Sequence, residues 1–113
     1  MATVANISYF QVSAPAGNCA YAWKVYVLWQ NGSQQTKTYT GEWGGAGSNV
    51  KATLDGLGIP DGAPVTIYID VVAGVDEIGT QVFTYSASSS SGASYTTQGN
   101  TINNYLTYNG IVD

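Results

Sequence analysis

The sequence of 113 residues has no histidine, no arginine and one cysteine. Without histidine there is no Ser-His-Asp or Cys-His machinery, and the commonest ligand of transition metals is missing. One cysteine without histidine excludes a tetrahedral zinc site. Cys19 has no partner for an internal disulfide, so the fold cannot rest on a framework of bridges. It reads as a small buried hydrophobe.

Charge is as scarce. Charged residues make up 9% of the chain, against roughly 25% in an average soluble protein. The only cations are Lys24, Lys37 and Lys51, and the net charge is −4. Nucleic-acid binding needs Lys and Arg to neutralise phosphates. Three scattered lysines on an acidic chain exclude it, and they exclude a basic patch for anionic lipid as well. No apolar run approaches the ~18 residues of a membrane span, so contact with a membrane stays open while crossing one does not. The start, MATVANISYFQV, carries neither the basic nor the apolar region of a secretory leader. The expectation is cytoplasmic synthesis, with any release by a leaderless route.

What remains is apolar and aromatic. Hydrophobic residues reach 44%, with nine Tyr, three Trp and two Phe. That is enough for one core without metal or disulfides, in a single domain over residues 1–113. The patterning has period two almost throughout. In YAWKVYVLWQ, Tyr21, Trp23, Val25, Val27 and Trp29 share one face, and Lys24, Tyr26 and Leu28 the other. Asn31-Gly32 follows, a strong signal for a tight hairpin turn, and SQQTKTYTGEW returns. In PVTIYIDVVA, Val65, Ile67, Ile69 and Val71 face one way, and Thr66, Tyr68 and Asp70 the other. VANISYFQVSA, NVKATLDGL, EIGTQVFTYSA, SYTTQ and TINNYLTYNG read as further strands, with Ile102, Leu106 and Tyr108 on the inward parity. No window repeats near 3.6. The expected fold is all-β, a single antiparallel β-sandwich or small barrel of about seven to eight short strands.

Catalysis finds little material. Seven acids are present, and no spacing marks a pair for glycosidase work. Asp61, Asp76 and Glu77 fit turns and match no EF-hand loop. Gly44-Gly45-Ala46-Gly47 lacks the lysine of a phosphate-binding loop and leads into a strand. Neither enzymatic activity nor a cofactor nor a metal is expected.

The surface must therefore be built from aromatic rings and uncharged polar groups. Sugars offer the complementary face: C–H groups that stack on Trp and Tyr, and hydroxyls that pair with amides. Trp23 and Trp29 share parity with valines and are expected in the core. Trp43 has only Gly41, Glu42 and Gly44 around it, which makes it the best candidate for a ring that touches a partner. The expected ligand-binding residues are Trp43, Glu42, Tyr39 and Asn49, with Asn103 and Tyr105 as a second cluster. The function expected is a non-enzymatic carbohydrate-binding lectin, acting on a glycan or glycoconjugate as a homo-oligomer because single sugar sites are weak. A self-assembling or crystal-forming structural protein is the alternative, since few charges guard the strand edges. A membrane-active β-sandwich toxin, with Trp43 at the interface, is the third reading.

Overall fold

A computed structural model describes residues 3–113. Among these residues there is no helix. Ten strands form in chain order: β1 (Asn6–Ile7), β2 (Tyr9–Ser13), β3 (Trp23–Asn31), β4 (Gln34–Gly44), β5 (Asn49–Thr53), β6 (Pro64–Val71), β7 (Glu77–Ile78), β8 (Phe83–Tyr85), β9 (Gly92–Gly99) and β10 (Asn104–Val112). A six-stranded sheet runs β1-β8-β6-β3-β4, with β7 also on β6, and a four-stranded sheet runs β10-β9-β2-β5.

The all-β expectation holds. The purely antiparallel one does not, and neither does the barrel: two open sheets form, each containing a parallel pair. β1 runs parallel to β8, and β2 parallel to β9. The reason is a shared corner. Residues 6–13 pass from the six-stranded to the four-stranded sheet, and residues 84–96 pass beside them in the same direction, Asn6 opposite Thr84 and Ser13 opposite Thr96. The Ser8 N–H donates to Ser91 O across the crossing at 2.9 Å. Period-two patterning reports which side a residue faces. It carries no information on the direction of a partner so distant in sequence.

The core lies between the sheets. Trp23, Val25, Val27 and Trp29 on β3 and Val65, Ile67, Ile69 and Val71 on β6 are buried, as their parity requires. Phe10 on β2 meets them from the other sheet, edge-on to Phe83 at 6.0 Å and to Tyr95 at 6.1 Å between ring centroids. Leu106 and Tyr108 pack against this cluster. Ile102 does not: it lies in the turn between β9 and β10 and is exposed, because the strand begins two residues later than the apolar pattern suggests. Cys19 is only half-buried.

One polar chain crosses the interior. The Thr97 hydroxyl donates to Glu77 Oε1 at 2.6 Å and is joined to the Tyr21 hydroxyl at 2.6 Å. Burial raises the Glu77 carboxyl above its usual range, against the opposing effect of the Thr97 bond, and the charge of Asp76 adds to the rise. Burial likewise pushes Tyr21 up to about 12. A carboxyl raised by folding binds its proton more tightly in the native state. Its contribution to stability is full below the unfolded value of about 4.3 and fades as pH rises through the folded value. Melts of Glu77→Gln and wild type between about pH 4.5 and 8 should therefore show a shallower decline in the variant. Parallel pH profiles would contradict this.

Candidate functional site

The hairpin β3-β4 places the exposed aromatic, Trp43. Asn31 pairs with Gln34, so the turn itself is Gly32-Ser33, with Gly32 at φ +66°. Glycine in the first central position is the choice of a type II′ turn. The turn thus sits one residue later than an Asn-Gly turn would.

Near its other end the hairpin is irregular. Lys24 pairs with Trp43 and Tyr26 with Tyr39, so Thr40, Gly41 and Glu42 together face Val25. Gly41 takes φ +89°, which side chains disfavour. The Thr40 hydroxyl donates to Val25 O at 2.7 Å, and the Glu42 N–H donates to the Thr40 hydroxyl at 3.3 Å. The bulge has a consequence for the surface. Tyr39 and Trp43 stand opposite residues only two apart, Tyr26 and Lys24, so they become neighbours on the outer face. In a regular strand four residues would separate them by about 13 Å; side chains two apart on the same face lie about 7 Å from each other.

Past Trp43, Gly44 is required by packing. A Cβ there would stand 2.7 Å from Trp23 Cζ2 and 2.6 Å from Ser48 Cβ. The Gly45 N–H donates to the Ser48 hydroxyl at 2.9 Å. The glycines of this loop therefore serve the core and the turn, and Trp43 is left out in solvent at 66% exposure.

The outer face of the six-stranded sheet carries more than Trp43. Tyr39, Tyr26, Tyr68 and Ile78 form one row across β4, β3, β6 and β7. Tyr26 lies 5.0 Å from Tyr39 and 6.0 Å from Tyr68 between ring centroids. Trp43, Lys24 and Asp70 form the next row. The Tyr68 hydroxyl donates to Asp76 Oδ2, and Asp76 Oδ1 accepts the Val71 N–H at 2.9 Å. The Asp76 bond, with burial second, pushes Tyr68 up to about 12. Sequence reasoning left Tyr26, Tyr68 and Ile78 out of the site. The first two already carried the signal, the outward parity of their strands. What was missing was the order in which the strands lie.

The other expected residues are elsewhere. Asn49 begins β5 in the four-stranded sheet, and its Oδ1 accepts the Gln11 side-chain amide. Asn103 and Tyr105 line an open cleft of about 460 Å³ together with Asn18, Cys19 and Asn100. Asn100 Oδ1 accepts the N–H groups of Ile102 and Asn103 at 3.0 and 2.7 Å, and Asn18 donates to Gln98 at 3.0 Å. Tyr105 is exposed beside them. The cleft is lined without any charged side chain. The expected residues thus separate into Tyr39 and Trp43 on the outer face, with Glu42 half-buried in the bulge between them on the alternate parity, Asn103 and Tyr105 at the cleft, and Asn49 apart from both.

No family model matches the chain, and no curated protein or solved structure is detectably similar to it.

Proposed function

We propose that the protein is a non-enzymatic carbohydrate-binding module that takes glycan on the outer face of the six-stranded sheet. The observation that carries this reading is Trp43, 66% exposed and set beside Tyr39 by the bulge. Two rings at that spacing on a flat face suit the C–H faces of successive sugar units. Glu42, half-buried in the bulge, supplies an acceptor for hydroxyls. The uncharged cleft at Asn103 and Tyr105 offers the same chemistry at a second place. A glycan array read with and without calcium tests the reading. Retention of a defined class of glycan is expected, and an array without signal in both conditions would contradict it.

Self-assembly is a second reading with its own support. β4 and β10 are each the longer of the two end strands of their sheets, 11 and 9 residues with one side of the backbone unpaired. β10 has neither Lys nor Pro, and its Ile111 and Val112 are exposed. Natural edge strands usually carry such guards. Pairing of chains along β10 would also supply the multivalency that a lectin needs. Light scattering at rising concentration is expected to show association; a monomer throughout would contradict it.

A further inference from the structure

Tyr26 and Tyr68 stand nearly perpendicular, at 83°, and so make two walls of a corner on the outer sheet face. Tyr39 packs against Tyr26 at a tilt of 39° and backs the Tyr26 wall. An ammonium already occupies this corner. Lys37 Nζ lies 4.2 Å from the Tyr68 ring centroid and 5.1 Å from that of Tyr26. Lys37 belongs to the edge strand β4, opposite Leu28. To reach Tyr68 on β6 its side chain must extend across β3. Asp76 holds the Tyr68 hydroxyl, and Asp70 follows on the same outward parity of β6. The corner therefore combines aromatic faces with nearby carboxylates.

That combination favours cations, and most of all weakly hydrated ones. A primary ammonium is compact and strongly hydrated, so it holds such a corner loosely. A quaternary ammonium has no N–H to satisfy, and its methyl groups pack against the rings. We propose that the Tyr26–Tyr68 corner is a binding site for alkylated ammonium groups of the choline type, with Lys37 as a tethered occupant that a ligand must displace. The site does not depend on the carbohydrate reading, and its ligand could equally be a soluble choline compound or a lipid headgroup.

The test is a titration of choline chloride, followed by the N-methyl proton resonance, against wild type, Lys37→Ala and Lys24→Ala. Lys37→Ala opens the corner. Lys24→Ala removes the same charge from the same sheet face and leaves the corner filled. Because a tethered group competes at millimolar or higher effective concentration, Lys37→Ala should bind choline about tenfold more tightly than wild type. An upfield shift of the methyl signal should accompany binding, and Lys24→Ala should behave as wild type. Adding Tyr68→Leu to Lys37→Ala should abolish the shift while circular dichroism shows an unchanged fold. No shift with Lys37→Ala at roughly 100 mM choline, or equal binding by all three proteins, would overturn the proposal. Flotation with phosphatidylcholine vesicles then separates the sources. Binding of vesicles and choline together supports a headgroup ligand at this site, and binding of choline alone supports a soluble one.

Discussion

Trp43→Ala should weaken binding of an array-positive glycan about thirtyfold, the equivalent of the ~2 kcal/mol typical of a tryptophan at a binding centre. The same change should leave the fold nearly untouched. The ring is mostly in solvent, and surface substitutions of this kind usually stay within about 0.5 kcal/mol. The bulge that positions Trp43 is held by Thr40 and Gly41 and by backbone groups, none of which the substitution removes. Isothermal titration calorimetry beside a thermal melt separates the two effects. Full affinity in the variant, or a large fall in melting temperature, would make Trp43 a structural residue and remove it from the site.

Trp23→Ala should have the opposite profile, a loss of about 3–5 kcal/mol in stability. Trp23 is completely buried, and Gly44 gives up a side chain to let its ring approach. Among the described residues its indole N–H has no hydrogen-bond partner, so the loss is one of packing and of the cavity left behind. Urea unfolding measures it directly. A variant within about 1 kcal/mol of wild type would mean that the loop around Gly44 and Ser48 collapses into the vacated space.

The contrast between these two tryptophans was legible in the sequence. Trp23 alternates in step with Val25 and Val27, whereas Trp43 stands among glycines. The outward parity of Tyr26 and Tyr68 was legible too. Their meeting was not, because it depends on β6 lying beside β3, and alternation does not reveal sheet order. The bulge was hidden for a related reason. It adds an even number of residues to β4, so Tyr39 and Trp43 keep the same parity with it or without it. Only the register against Lys24 and Tyr26 shows how near they are. In the sequence Asn49 closes the same loop that Trp43 opens. The loop, however, carries the chain from one sheet to the other, and proximity in sequence there means separation between sheets.

The protein's own fluorescence tests the central claim most directly. Trp23 and Trp29 are buried and Trp43 is exposed, so quenching by acrylamide should report on Trp43 almost alone. Adding a glycan retained on the array should shift the emission to shorter wavelength and shield this tryptophan from the quencher, saturating at the affinity found by calorimetry. A glycan that binds by calorimetry while Trp43 remains fully open to acrylamide would place the sugar elsewhere and contradict the account.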